Sequence, residues 1–284
     1  MRLPAVFLFA LTALSLSTVG PAQSSECRDE VPCQLETGEY YIHLPPEFAA
    51  DQPRGAILFL HGYRGKALNE IRNKRFKAIA DELGVAFAAV NGVKGTWSFP
   101  SSPRDYRDEF AFFDEVLTDM GNRFGIDRTR TMLSGFSSGG FMTWYTACHD
   151  ARLFGGYAPI AGAFWKPEPI TCPSPQIPYL FHVHGTSDKV VPMEGRPLGG
   201  GRWHQGDVIG SMNVWLKQAG LESTLPHKST FQNLACESWT ATDGLLELCL
   251  HGGGHSIKAD WIKRAWLRLS DARGWSKPID ETGN

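Results

Sequence analysis

Residues 129–140 read Thr129-Arg130-Thr131-Met132-Leu133-Ser134-Gly135-Phe136-Ser137-Ser138-Gly139-Gly140. A β-type run, Thr131-Met132-Leu133, leads into the G-x-S-x-G pattern Gly135-Phe136-Ser137-Ser138-Gly139, and Gly139-Gly140 opens a helix expected over Met142–Cys148. The order strand, tight turn, helix predicts a strained turn that lifts Ser137 above a sheet edge. Small residues two before and two after let the backbone pass close to its neighbours. The helix that follows aims its N-terminus and free N–H groups at the same point. The motif by itself is weak, because Gly and Ser are common. A glycine-rich turn with a solvated serine is the competing reading, and the flanking strand and helix favour the strained turn.

Outward from this stretch, apolar runs alternate with helical spacings, which predicts a mostly parallel central sheet flanked by helices on both faces. Ala56–Leu60 (AILFL) and Val85–Val90 read as buried strands, and Glu39–Leu44 as an early edge strand or hairpin. Tyr157–Ala163 and Tyr179–His184 are further strand-like runs. Cys236–His251 reads as antiparallel or mixed, turning at Thr242-Asp243-Gly244. Helical spacing covers Asn69–Leu83, Phe110–Phe124, Asp207–Ala219 and the stretch after His255. Most of the apolar residues in these segments are core and carry no chemistry.

Serine is a poor nucleophile unless a base removes its proton, so a base and an orienting acid are needed downstream, in the chain order Ser, acid, His. His182-Val183-His184-Gly185-Thr186-Ser187-Asp188 ends a buried strand in a turn, which places the Asp188 carboxylate at a strand end. Gly252-Gly253-Gly254-His255 ends another strand in a glycine loop that brings His255 back over the sheet edge. Ser137, Asp188 and His255 are the candidate catalytic residues. Asp114 and Asp207, in helical patterns, are the weaker acids, and His251, nearer the strand body, the weaker base. One of His182 and His184 is expected to face the core or pack beneath the site. His61-Gly62-Tyr63-Arg64-Gly65 follows the AILFL strand, and the backbone N–H groups of Tyr63 and Ser138 are the candidate oxyanion donors. His61 reads as structural. Arg64 is a possible partner for a substrate carboxylate, although a solvated arginine is the simpler reading. Trp97, Phe136, Trp165 and Trp203 are candidate substrate-binding residues in or near loops, each equally readable as core or rim.

The chain has 284 residues, 42% hydrophobic and 20% charged, with formal net charge -2. No long run of one sign points to nucleic acid or to a polybasic membrane patch. Arg2, the apolar Ala5–Leu16 and the small residues Gly20-Pro21-Ala22 form a signal-peptide pattern. The apolar stretch is shorter than the ~20 residues of a membrane span. The expected organisation is a signal peptide over 1–22 and one catalytic domain over 23–284. After cleavage no membrane, nucleic-acid or obligate protein partner is expected. All 6 cysteines follow the cleavage site, which predicts disulfides in an oxidising compartment, periplasm or medium. Short-range pairing is the simplest of the possible connectivities: Cys27–Cys33, Cys148–Cys172 and Cys236–Cys249. No Cys or His spacing suits a zinc site, so no metal and no cofactor are expected.

Together these segments resemble the secreted polyhydroxybutyrate depolymerase-like and feruloyl esterase-like family of α/β-hydrolases. The matching pieces, in order, are Leu58–Gly62, Arg107–Leu117, Ile126–Cys148, Ala158–Gly162, His184–Pro192 and Gly252–His255. The resemblance implies the α/β-hydrolase fold, a Ser137–Asp188–His255 triad and cofactor-free ester hydrolysis through an acyl-enzyme. It implies feruloyl or acetyl esters of plant polysaccharide as substrates. Short polyhydroxyalkanoate oligomers are the alternative within the class, and a silent hydrolase-fold binding protein the alternative outside it. Two departures bear on substrate. Ser256-Ile257-Lys258 stands where members often carry Trp-Pro after the histidine, and Tyr63-Arg64 where smaller residues are common.

Overall fold

A computed structural model describes residues 27–46, 48 and 54–275. The signal-peptide pattern over 1–22 lies outside the described residues. Strands β1 (Cys33–Gln34), β2 (Glu39–His43), β3 (Arg54–Leu60) and β4 (Ala86–Val90) come first, with helices α1 (Ala67–Ile71) and α2 (Lys74–Leu83) between β3 and β4. Helix α3 (Glu109–Phe124), β5 (Ile126–Phe136), α4 (Ser138–His149), β6 (Gly156–Ile160) and β7 (Tyr179–Gly185) form the middle of the chain. The short β8 (Pro197–Leu198) and β9 (Trp203–His204) precede α5 (Val208–Gln218), β10 (His227–Phe231), β11 (Leu234–Ala241), β12 (Gly244–His251) and α6 (Ala259–Arg273).

Ten strands form one sheet in the order β1-β2-β4-β3-β5-β6-β7-β12-β11-β10. The six from β4 to β12 run parallel, and antiparallel strands close both edges. The continuous apolar run of β3 is explained by burial on both faces. Ala56, Leu58 and Leu60 join one core layer with Phe113 and Val116 of α3, Trp144 of α4 and Trp215 of α5. Ile57 and Phe59 join the other with Ile71 of α1, Phe76 of α2 and Trp261 and Trp266 of α6. Helices therefore cover both faces. Central α4 is buried along nearly its whole length, which explains its lack of a polar stripe.

The structure refines several expected boundaries. The helical spacing over 69–83 is broken into α1 and α2, because Asn73 leaves the helix and its side chain accepts from Arg75 N at 3.0 Å to cap α2. The Tyr157–Ala163 run stops at Ile160, where Ala161 turns to φ 51°. Strand β10 has polar, exposed residues at an edge and no apolar alternation to reveal it. Three disulfides join Cys27–Cys33, Cys148–Cys172 and Cys236–Cys249. The last links directly opposed residues of β11 and β12. No described helix is long and apolar enough to cross a membrane.

Candidate active site

At the end of β5 the chain reverses into α4 through Ser137, which holds φ 56° and ψ −113°. That conformation is costly for a residue with a Cβ and persists only where its surroundings impose it. Here the Ser137 N–H donates to Ile160 O of neighbouring β6 at 2.9 Å, and Ser137 O accepts from Phe141 N at 2.9 Å. The glycines of the motif have a steric cause. A Cβ on Gly139 would collide with the Leu60 carbonyl of β3, so only glycine lets α4 start this close to the sheet. Ser138 is the first residue of α4, and an N–H at that position has no acceptor within its own helix.

Loops after β3, β7 and β12 gather at the same carboxyl edge of the parallel strands, the usual ligand crevice of such sheets. Gly62 lies against the elbow: a Cβ there would stand 3.7 Å from Ser137 Cβ. The turn it opens is fixed by Gly65 N donating to Gly62 O at 2.9 Å and Arg64 N donating to Gly95 O at 2.8 Å. Buried His61 braces it. Its Nε2 accepts from Gly92 N at 3.0 Å, so Nδ1 carries the proton and donates to Gly62 O at 2.7 Å. Burial pushes the His61 imidazole below its ordinary range, which suits a neutral structural ring. Tyr63 itself is 63% exposed, and the Arg64 guanidinium lies over its ring at 5.2 Å.

Asp188 sits just past β7 with its side chain fully buried. Its Oδ1 accepts from Val190 N at 2.8 Å and Val191 N at 2.9 Å. Its Oδ2 accepts from His255 Nδ1 at 2.6 Å. A carboxylate accepts only, so the proton of neutral His255 is on Nδ1, and Nε2 presents a lone pair. Two backbone bonds tie the acid loop to the histidine loop: Thr186 N to His251 O at 2.8 Å and Ser187 N to Gly253 O at 3.1 Å. The Phe136 ring, one residue before Ser137, packs at a tilt against His255 with centroids 4.7 Å apart. Ser137, Asp188 and His255 thus follow the ends of three parallel strands, and the His255 ring lies against Phe136 of the elbow.

Other candidate residues have different roles. Asp114 is exposed and pairs with Arg128 at 2.9 Å. Asp207 caps α5, accepting from Gly210 N at 2.6 Å. His251 accepts from Gly253 N at 3.0 Å and packs on Trp261 with ring centroids 4.6 Å apart. Among the aromatic residues, Phe136 is at the site. Trp97 is not a pocket wall. It is fully buried, packs on His61 with centroids 4.9 Å apart, and donates from Nε1 to His61 O at 2.9 Å, bracing the turn from behind. Trp165 is nearly buried between Phe99 and Phe141 and bridges to Gln205. Trp203 is half-buried in β9, with Arg202 over its ring at 5.4 Å. One of His182 and His184 was expected to face the core or pack beneath the site; in the structure both are buried and in contact, with His184 beside Asp188. Their alternation in β7 was the available signal.

Residues 113–197, spanning α3, the elbow and the acid loop, match the phospholipase/carboxylesterase family. The fold is that of the α/β-hydrolases. The chain is 30% identical over 179 residues to a putative esterase, NocK, of Nocardia uniformis subsp. tsuyamanensis, covering 61% of this chain and 52% of that one. It is 25% identical over 259 residues to the bifunctional acetylxylan esterase/xylanase XynS20E of Neocallimastix patriciarum, covering 87% and 35%. It is 24% identical over 202 residues to a probable feruloyl esterase C of Aspergillus niger, covering 67% and 72%. The chain thus spans about half of the first of these proteins and about a third of the second. Among solved structures, an acetyl xylan esterase from Aspergillus awamori superposes with TM-score 0.56 at 15% identity, covering 81% of this chain and 94% of that one. At that identity the likeness is one of fold.

Proposed function

We propose that the chain is a serine carboxylic-ester hydrolase that works through an acyl-enzyme on feruloyl- or acetyl-type esters of plant polysaccharide. The observation that carries this reading is the 2.6 Å bond from His255 Nδ1 to the buried Asp188, beside a serine held at φ 56°. In this mechanism His255 Nε2 takes the Ser137 hydroxyl proton as Oγ attacks the ester carbonyl. The Tyr63 and Ser138 N–H groups hold the oxyanion, and one such donor is worth about 2.7–4 kcal/mol in comparable enzymes. The intermediate collapses, and His255 passes its proton to the leaving alcohol. Water, deprotonated by His255, then cleaves the acyl-serine and regenerates the free hydroxyl. Asp188 fixes the His255 tautomer and stabilises its cation. None of these steps calls for a cofactor.

Relatives named as feruloyl and acetylxylan esterases support the substrate class. Phe136, Trp165 and Trp203 are proposed to flank the acyl group. The three disulfides favour an oxidising compartment, and with the signal-peptide pattern they support secretion or export to the periplasm of a catalytic unit over 23–284. The substrate is then a small or oligomeric ester. Purified protein should hydrolyse p-nitrophenyl acetate, and Ser137→Ala should reduce kcat by at least ~10³-fold. Full turnover by that variant would overturn the reading. In a panel, methyl ferulate or acetylated xylan should be turned over faster than hydroxybutyrate oligomers; the reverse ranking would move the substrate to polyhydroxyalkanoates.

A further inference from the structure

His182 and His184 point to the same face of β7, two residues apart, and both are fully buried. They form a chain of short contacts. His182 Nδ1 lies 2.9 Å from Pro159 O in β6. His182 Nε2 lies 3.2 Å from His184 Nδ1. His184 Nε2 lies 2.8 Å from Val191 O. A carbonyl oxygen only accepts, so each end of the chain needs an N–H. The middle contact needs a third. Three contacts call for three protons on four ring nitrogens, and two neutral imidazoles carry two. A neutral pair would set two acceptors face to face in a dry site, either at the middle contact or at a carbonyl.

We infer that the two imidazoles hold three protons, one shared between His182 Nε2 and His184 Nδ1, and that this buried cation is the electrostatic and positional support of Asp188. The role rests on the triad proposed above; the proton count does not. His184 Nε2 is 3.8 Å from Asp188 Oδ2, and among the described residues Asp188 is the only carboxylate paired with either ring. Asp188 and His184 also grip the same residue from two sides: Val191 N donates to Asp188 Oδ1, and Val191 O accepts from His184 Nε2. Burial acts the other way, driving both rings toward neutrality. For His184 the Val191 carbonyl and Asp188 oppose it, while His255 and His251 add to it. The remaining faces hold the Trp144 ring of α4, 5.3 Å from His182, and the Pro159 carbonyl of β6; Lys258 faces His251 beyond. The buried Asp188 charge opposes the cost of burial, since its other partner, His255, is neutral until it takes the Ser137 proton. His184 is thus a positioning residue, acting through Asp188.

The test has two arms on the full chain. Imidazole 15N–1H NMR of histidine-labelled protein at neutral pH, assigned with His182→Gln and His184→Gln, counts the protons. Two donor nitrogens plus two intermediate nitrogens sharing one far-downfield proton are expected. Two fully unprotonated nitrogens would overturn the inference, whether or not the protein hydrolyses esters. In the second arm, His184→Gln keeps a donor for Val191 O but loses the charge. Removing a positive charge beside a site favours protonation there, so the acid limb of kcat/KM should move up by about one pH unit. The maximum should fall roughly tenfold through kcat with KM little changed. A profile superimposing on the wild type would overturn the positioning role, and His182→Gln gives the same readout should His184→Gln not fold. Loss of activity in wild-type protein would instead count against the esterase reading.

Discussion

Ser137 shows how a single residue reports a site. A φ of 56° with ψ −113° costs on the order of 1–3 kcal/mol for a non-glycine residue, and it is held by the bond to Ile160 O and the start of α4. The spacing Gly135-x-Ser137-x-Gly139 revealed that position in the sequence because sterics leave few other residues there. Glu70 illustrates the opposite case, a residue whose behaviour comes from burial alone. Its carboxyl is pushed up from 4.5 to about 7. Between those values the folded chain binds more protons at Glu70 than the unfolded chain does. Its stabilising contribution is therefore complete below about pH 4.5, declines as pH rises, and is lost above about 7. Urea unfolding of wild type and Glu70→Gln at pH 5 and pH 8 checks this. The variant should lose less stability between the two pH values, and equal losses would contradict the assignment. Nothing in the sequence marks Glu70, because the shift depends on neighbours brought together only by the fold.

Elements were legible where one physical signal dominated. The buried strands β3 and β4 and the amphipathic α3 and α6 follow directly from apolar runs and helical spacing. The break between α1 and α2 falls in the five-residue step from Ile71 to Phe76, which departs from the three- and four-residue spacing of Phe76, Ile79, Ala80 and Leu83, and Asn73 interrupts the chain there. Strand β10 was hidden because its polar residues pair only with β11 at the sheet edge. The join between β5 and α4 depends on backbone proximity more than on side-chain packing. Gly139→Ala puts a methyl into the Leu60 carbonyl and must push α4 off the sheet. A loss of about 1–3 kcal/mol is expected, as for other overpacked sites, together with loss of p-nitrophenyl acetate turnover. Denaturant unfolding and an initial-rate assay measure both. A variant matching wild type in each would show that the close approach does not hold the elbow.

Over the whole molecule, the candidate site is assembled from parts far apart in sequence. Asp188 and His255 meet because β7 and β12 run parallel with their carboxyl ends at one edge and the Ser187–Gly253 bond joins their loops, and Ser137 stands at the end of β5 on the same edge. Chain order was the sequence signal for these three candidates; the 2.6 Å contact and the contact within the buried histidine pair had none, since they depend on the register of β7 with β6 and β12. The disulfides fall on the shortest of the possible pairings, with separations of 6, 24 and 13 residues. The central claim is that this assembly makes Ser137 a nucleophile. Its most direct test is labelling of the folded protein with a fluorophosphonate, followed by peptide mapping. One adduct per chain on Ser137, abolished by denaturation and by His255→Ala, is the predicted result. Labelling of another serine, or no labelling of protein that still hydrolyses esters, would contradict it.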